Sequence, residues 1–239
     1  MRTRVPDKSL PEPWFSFLGD LDAAIETDVR LDCMGGFVVT FVYGFSRPTA
    51  DLDVLEIAPR EAGEPMLQLG MQGGPLHKKY KIYLDLVGVA HVPENYENRL
   101  TEIFPKAFSH LRLCALDPYD LALSKLERNI QRDRDDVKYL ARTVPLDLEV
   151  LKDRYQEELR GQLGNPERED LTLKLWIEAI EEEKLRETAE NPGRRRPLSP
   201  TPNPALATKT SGGASEEFHL PRPTPAQTLN RDVAASTDL

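Results

Sequence analysis

Cysteine and histidine are scarce in this chain, and neither is spaced for metal binding. The 239 residues include two cysteines, Cys33 and Cys114, and four histidines. No C-x-x-C pair occurs and the histidines show no zinc-ligand spacing, which argues against a disulfide framework and against a zinc site. Long apolar runs and signal-like segments are also missing. We therefore expect a protein of the reducing cytoplasm that does not associate with a membrane.

Aromatic and branched apolar residues are sparse in the last fifty residues. Eight of the 20 prolines lie after residue 190. Such a segment cannot offset its ordering entropy by burial, so we predict a disordered tail over residues 188–239. Acidic and basic residues balance from Glu187 onward, so the net charge of −9 belongs to the part that folds. Any phosphate-binding surface on this acidic body has to be a local basic patch.

The rest of the sequence alternates between helical and strand patterns. Alternating apolar residues predict strands in VRLDCM, DLDVLEI, IYLDLVGVA and HLRLCAL. Helical patterns precede, separate and follow these strands, in WFSFLGDLDAAIETD, FVVTFVY, GEPMLQLG, ENYENRLTEIF and YDLALSKLERNI. This order indicates an α/β (α+β) domain over residues 1–145, with a mixed sheet flanked by helices. Further helices are predicted over residues 146–187, packed on this domain, where they line a substrate pocket or cover the back of the sheet.

Asp51 and Asp53 begin one predicted strand and are separated by a single residue. Successive strand side chains point to opposite faces, so the two carboxylates share one face while Leu52 and Val54 pack on the other. Like charges so close raise each other's pKa unless a divalent cation lies between them. The alternative for an isolated D-x-D is that both carboxylates flank a turn and point into water.

Neighbouring residues favour a ligand site over surface charge. Gly35 and Gly36 separate a strand from a helix, where backbone N–H groups can receive a phosphate, although a glycine pair also marks ordinary tight turns. Asp85 interrupts the apolar run IYLDLVGVA, and such an acid either shares a metal or bonds a backbone amide. These features together predict a phosphate and metal site near the start of DLDVLEI.

A basic stripe is predicted on the helix YDLALSKLERNI. Lys125, Arg128 and Arg132 are spaced at i, i+3 and i+7, which places them on one helical face. A stripe of this kind can hold a triphosphate, or it can be ordinary surface charge near a helix C-terminus. The following RDRDDV supplies acids, of which one or two are expected to cap the next helix.

Two segments together resemble a known family. GGFVVTFVYGFSRPTADLDV resembles the G-G/S...D-x-D signature of the DNA polymerase β-like nucleotidyltransferases, in the form found in AbiEii-type toxins and their DUF6036-type relatives. DPYDLALSKLERNIQRDRDDVKYL is similar to the second half of that pattern, a helix with a lysine followed by R-D-x-x-D. The resemblance covers residues 14–145 and implies the minimal nucleotidyltransferase fold.

The resemblance also implies a set of site residues. The implied nucleotide-binding residues are Gly35, Gly36, Thr49, Lys125 and Arg128. The implied catalytic residues are Asp51, Asp53, Asp85 and Lys125. The three aspartates would bind one or two Mg²⁺ ions, and Asp85 would help to activate the attacking hydroxyl. Lys125 would meet the triphosphate, and Asp133 or Asp136 corresponds to the late acid of the family pattern.

The sequence therefore predicts an Mg²⁺-dependent transfer of a nucleoside monophosphate from an NTP to a hydroxyl of RNA, such as tRNA, or of protein. The resemblance further implies the toxin of a toxin–antitoxin pair, with a cognate antitoxin as partner. The acidic body and the short basic surface favour another interpretation, a catalytically silent nucleotide-binding or regulatory module with the same fold. Transfer to a small molecule such as an aminoglycoside is a third, and it would require a deep acidic pocket.

Overall fold

The computed structural model describes residues 10–88 and 90–190, with side chains up to residue 186. Residues 188–190 continue the last helix, and the remainder of the predicted tail, residues 191–239, lies outside the described residues. No helix within the described ranges is both long enough and apolar enough to cross a membrane.

Five short strands form one mixed sheet. They are β1 (Val29–Met34), β2 (Asp51–Ala58), β3 (Tyr83–Leu86), β4 (Thr101–Ile103) and β5 (Leu111–Ala115). Their spatial order is β3-β2-β1-β5-β4. β1 pairs antiparallel with β2 and parallel with β5, while β2 pairs parallel with β3 and β4 antiparallel with β5. All four predicted strands are present, and the predicted fold with a mixed sheet flanked by helices is confirmed.

Helices connect the strands and follow the last one. They are α1 (Trp14–Asp22), α2 (Gly35–Phe37), α3 (Arg60–Gly70), α4 (Pro75–Tyr80), α5 (Pro118–Leu123), α6 (Gln131–Thr143), α7 (Leu148–Arg154) and α8 (Pro166–Glu190). Single π-helical turns continue α2 over Val38–Val42 and α7 over Tyr155–Leu159, and 3₁₀ turns span Tyr96–Arg99 and Arg160–Gln162. The helices after residue 146 contact the preceding section, although the domain bound at 145 stays a prediction.

A continuous apolar core fixes the start of α2 against α1. Phe17, Leu18 and Leu21 of α1 are fully buried, as their helical spacing predicts. Trp14 packs edge-on against Phe37 of α2, with ring centroids 4.9 Å apart. Each large side chain buried in this way stabilises the fold by roughly 1.5–3 kcal/mol. The backbone that bears the glycine pair is therefore held by the core.

The prediction of a helix in ENYENRLTEIF is wrong. Only the 3₁₀ turn Tyr96–Arg99 is helical, and the chain then becomes β4 at the edge of the sheet. Thr101 pairs with Ala115 of β5, so the strand gains backbone hydrogen bonds from a partner distant in sequence. Pairing of this kind outweighs the local helical pattern.

The helix predicted for YDLALSKLERNI is also shorter than expected. α5 ends at Leu123, and Asn129 takes a left-handed φ of 43° before α6 begins. Lys125 and Arg128 consequently lie in the connection between two helices, whereas Arg132 lies in α6. The prediction that these three residues share one helical face is therefore wrong, and each reaches the site from its own direction.

Candidate functional site

The start of β2 places Asp51 and Asp53 on the same face of the sheet. Leu52 and Val54 are completely buried on the other face, whereas both aspartates are only partly buried. Asp85 of β3 is in register with Asp53, so its exposed side chain lies on the same face as the pair. The three carboxylates predicted to bind a metal thus lie on one face of two neighbouring strands.

These carboxylates do not form a preassembled metal cluster. Within residues 10–88 and 90–186, no three His, Cys, Asp or Glu side chains are arranged to hold a metal ion together. The Asp51 and Asp53 pair still has chemistry suited to Mg²⁺, because this ion binds one or two carboxylates and takes its other ligands from water and substrate phosphates. The assignment of Mg²⁺ to the pair, with or without Asp85, stays a prediction.

Asp53 shows what this arrangement does to a carboxylate. Burial first, and then the charge of Asp51, raises the pKa of Asp53 to about 6, although the Gly36 N–H and the charge of Lys125 act in the opposite direction. The Gly36 N–H donates a hydrogen bond to Asp53 Oδ2 over 3.4 Å. A cation bound beside Asp53 would relieve the repulsion between the two carboxylates.

The glycine pair allows close approach of the backbone to charged side chains. Gly35 has a φ of +66°, and a Cβ at this position would lie 1.7 Å from Asp53 Oδ2. A Cβ on Gly36 would lie 2.8 Å from Thr49 Oγ1 and 3.1 Å from Arg47 Nη2. Any larger residue would displace the carboxylate or its neighbours. The phosphate-binding role of the two glycines stays a prediction, as does that of Thr49.

Lys125 is buried rather than part of a surface stripe. Its side chain is 4% exposed, and its Nζ lies 2.8 Å from Asp136 Oδ2 and 3.8 Å from Asp133 Oδ1. Arg128 donates two hydrogen bonds to Asp133, and Arg47 Nη2 lies 2.8 Å from Asp136 Oδ2. We call these five residues the lysine cluster. Asp133 and Asp136, the two candidate late acids, therefore hold three basic side chains in place.

The lysine cluster is incompletely satisfied. Among the described residues, four buried side-chain nitrogen or oxygen atoms lack a hydrogen-bond partner, and three of them are Arg47 Nε, Arg47 Nη1 and Asp136 Oδ1. Burial alone would raise the pKa of Asp133, but the hydrogen bonds from Arg128 and the charge of Lys125 outweigh burial and lower it. Guanidinium donors without acceptors are groups that an anionic phosphate oxygen would satisfy.

Two arginines lie beside the glycine pair, and only Arg132 of the two belonged to the predicted basic stripe. Arg47 Nη2 and Arg132 Nη2 would lie 3.1 and 3.2 Å from a Cβ on Gly36, so both guanidinium groups reach the glycine pair. Arg47 precedes β2 and Arg132 belongs to α6. The sequence signal for Arg132 was its helical spacing from Lys125 and Arg128, but Arg132 reaches Gly36 from α6, after the left-handed turn at Asn129.

A cleft of about 360 Å³ lies beside these residues. Gly35, Asp53 and Lys125 of the predicted site help to line it. Its volume is within the range usual for small-molecule sites. His91, Glu127 and Arg168 also line it, and no sequence motif singled them out. The same cleft is thus lined both by residues that the sequence predicted for the site and by residues that it did not.

A family model matches most of the described chain. The family is described as "Nucleotidyltransferase of unknown function (DUF6036)", and the match covers residues 18–184. This range includes all five strands and every residue of the lysine cluster. The search of curated proteins and the search of solved structures each find no match.

Proposed function

Because the chain belongs to the DUF6036 family of nucleotidyltransferases of unknown function, as its sequence predicted, we propose that it transfers a nucleoside monophosphate from an NTP to a hydroxyl group, with Mg²⁺ as cofactor. The observation that supports this proposal most directly is the shared face of Asp51 and Asp53, beside the glycine pair and the lysine cluster. The two carboxylates that would bind a metal ion therefore lie next to the basic side chains that would bind phosphates.

In the proposed reaction, each charged group has a separate task. Asp51 and Asp53 hold the metal ion, which when bound would stabilise charge on the attacking and leaving oxygens of an in-line displacement. Arg47 and Arg132 donate hydrogen bonds to phosphate oxygens next to Gly36. Lys125 offsets the charge of the departing pyrophosphate, since preorganised cations stabilise charge that develops in a transition state.

The charged lining of the cleft favours an anionic acceptor over an aminoglycoside. Lys125, Arg128 and Arg168 line it together with the acids Asp53 and Glu127. A cationic aminoglycoside would need an acidic pocket, whereas RNA presents phosphates that basic side chains bind. We therefore propose RNA, such as tRNA, as the first acceptor to test, with a protein hydroxyl as the alternative.

A toxin role is part of the proposal and rests on the resemblance to AbiEii-type toxins. Transfer of a nucleotide to tRNA would block growth, and a cognate antitoxin would prevent it. Induced expression of the wild type should arrest growth of a bacterial host, while the double variant Asp51→Asn, Asp53→Asn should not. Equal growth of the two strains would contradict the toxin role and leave nucleotidyl transfer to be decided by the assay below.

A catalytically silent nucleotide-binding module is the second candidate. The burial of Lys125 favours it, because an ammonium group held by Asp136 is not free to follow a leaving pyrophosphate. Such a module would bind NTP and form no product. The same assay separates the two candidates.

The test is transfer of label from each α-labelled NTP to the total RNA and protein of a cell extract, in the presence of Mg²⁺. We expect the wild type to label a macromolecule and the double variant Asp51→Asn, Asp53→Asn to lose at least about 10²-fold of this activity. Asp135→Asn is the matched control, because Asp135 is exposed and bonds only Gln131 in the hydrogen bonds described for it. Calorimetric NTP binding without any labelling would support the silent module, and equal labelling by the double variant would contradict the enzyme.

A further inference from the structure

We propose that His91, oriented by Glu127, is the general base that accepts the proton of the attacking hydroxyl. This inference rests on the proposed nucleotidyl transfer and assigns a catalytic residue to its acceptor side. His91 lies between β3 and the 3₁₀ turn Tyr96–Arg99, and Glu127 lies between α5 and α6. Both side chains line the cleft that Asp53 and Lys125 also line.

The contact between the two side chains determines which ring nitrogen is available. His91 Nδ1 lies 2.7 Å from Glu127 Oε2. An ionised carboxylate only accepts hydrogen bonds, so Nδ1 of the neutral ring is the donor and the lone pair is on Nε2. The side chains of His91 and Glu127 are 31% and 39% exposed, which leaves the ring accessible to a substrate. A base held by a carboxylate is the arrangement that activates hydroxyl nucleophiles.

Arg168 of α8 fixes the backbone beneath this pair. Its Nη2 donates a hydrogen bond to the carbonyl of Glu127 over 3.0 Å, and its guanidinium group also pairs with the buried Glu169. The main chain of Glu127 is thereby tied to the first turn of α8. The remaining charged side chains that line the cleft are Asp53, Lys125 and Arg128.

His91 is better placed for proton transfer than Asp85, to which the resemblance assigns hydroxyl activation. Asp85 is exposed, and among the described residues it does not line the cleft. Its register with Asp53 places it on the metal-binding face instead. Imidazole is also the side chain most often used for proton transfer near neutral pH. Asp85 would then help to bind the metal ion, and His91 would accept the proton of the acceptor hydroxyl.

The proposed step conserves atoms and charge. The acceptor oxygen forms a bond to the α-phosphorus, and the bond from that phosphorus to the oxygen bridging the β-phosphorus breaks. Pyrophosphate leaves with the electron pair of the broken bond. The hydroxyl proton moves to Nε2 of His91, and the carboxylate of Glu127 stabilises the resulting imidazolium until the proton passes to solvent.

The first test compares His91→Gln with the wild type in transfer from α-labelled NTP to total tRNA. Glutamine can still donate to Glu127, but it has no basic nitrogen. We expect kcat to fall by about 10²–10⁴-fold, while calorimetric NTP binding is unchanged. His110→Gln is the matched control, because the Nδ1 of His110 also lies near an aspartate, 3.5 Å from Asp28 Oδ1, and His110 is not among the described residues that line the cleft. Added imidazole should restore transfer by His91→Ala.

Two results would overturn the assignment of His91 even if the protein is a nucleotidyltransferase. One is a kcat of His91→Gln equal to that of the wild type, or no gain for His91→Ala with imidazole. The other comes from ¹⁵N spectra of the histidine side chains of the full chain, assigned with His91→Gln, if His91 has its proton on Nε2 rather than Nδ1. Absence of transfer by the wild type to any RNA or protein of a cell extract would instead refute the proposed function, and the base assignment with it.

Discussion

Two groups of carboxylates in this protein differ in how their charge is balanced. Asp51 and Asp53 lie beside each other at the start of β2, and the pKa of Asp53 is raised to about 6 by burial and by Asp51. Asp120 of α5 is fully buried, yet Arg99 Nε lies 2.8 Å from its Oδ2 and Arg154 Nη1 3.0 Å from its Oδ1. Asp51 and Asp53 repel each other, whereas the charge of Asp120 is balanced by two arginines of the same chain.

The difference separates an acid that arginines of the same chain hold from an acid whose nearest charged neighbour on the strand is another carboxylate. Arg99 also pairs with Glu158 at 2.8 Å, so the cluster around Asp120 joins the 3₁₀ turn, α5 and the π-helical turn after α7. Burial and the charge of Asp117 raise the pKa of Asp120 as well, but hydrogen bonds and charge from the two arginines act in the opposite direction. Asp51 and Asp53 instead would gain from an added cation. The same Asp→Asn substitution should therefore change the free energy of unfolding in opposite directions at the two places.

The largest effect is expected for Asp120→Asn. This substitution would weaken the charge-assisted hydrogen bonds from Arg99 and Arg154, which would keep Glu158 and Asp117 as their acidic partners. We therefore expect the free energy of unfolding to fall by about 3 kcal/mol. Urea unfolding followed by circular dichroism measures this change. Asp28→Asn, which alters an exposed pair with Arg112, should change stability little by comparison. Similar values for the two variants would show that the cluster around Asp120 is not structural.

A smaller effect of opposite sign is expected for Asp53→Asn in the absence of metal. The native pKa of about 6 lies above that of an aspartate in the unfolded chain, about 3.9. The native state therefore binds more protons than the unfolded state between about pH 4 and pH 6. Stability of the wild type should fall as pH rises through this window and remain lower above it.

The asparagine side chain introduced by Asp53→Asn cannot lose a proton, so this variant should avoid that loss of stability. We expect it to be more stable than the wild type by about 1–3 kcal/mol at pH 7.5, and equally stable near pH 4. Urea unfolding at both pH values in EDTA tests this. A destabilised Asp53→Asn at pH 7.5 would mean that the carboxylate pair is balanced by the chain itself, like Asp120.

The smallest effect is expected for Gly35→Ala compared with Gly73→Ala. Both glycines have positive φ, +66° and +83°, so alanine is strained by about 1 kcal/mol at either position. Only at Gly35 would the new Cβ meet the carboxylate of Asp53, whereas nothing lies within 4 Å at Gly73. The melting temperature of Gly35→Ala should be the lower of the two. Equal melting temperatures would show that the carboxylate moves away without resistance.

Features set by local sequence could be predicted. Leu52 and Val54 determine the buried face of β2, and this places Asp51 and Asp53 together on the other face. Asp117 accepts hydrogen bonds from the backbone N–H groups of Tyr119 and Asp120, as its position before Pro118 predicts. In both cases the spacing of a few neighbouring residues is sufficient to fix the geometry.

Features set by contacts between distant residues could not be predicted. β4 forms because Thr101 meets Ala115, and Lys125 is buried because Asp136 of α6 meets it. His91 and Glu127 are 36 residues apart, and no sequence pattern singled out either residue. Most strands and the shared face of Asp51 and Asp53 were therefore accessible from the sequence, whereas the lysine cluster and the contact between His91 and Glu127 required the fold.

The most direct test of the central claim is calorimetric titration of the full chain with non-hydrolysable analogues of the four NTPs, in Mg²⁺ and in EDTA. If Asp51 and Asp53 bind a divalent cation together with the nucleotide, the wild type should bind one or more analogues only in Mg²⁺. The double variant Asp51→Asn, Asp53→Asn should then lose this binding, while Asp135→Asn retains it. Equal affinity of the wild type and the double variant, or binding unaffected by EDTA, would contradict the claim.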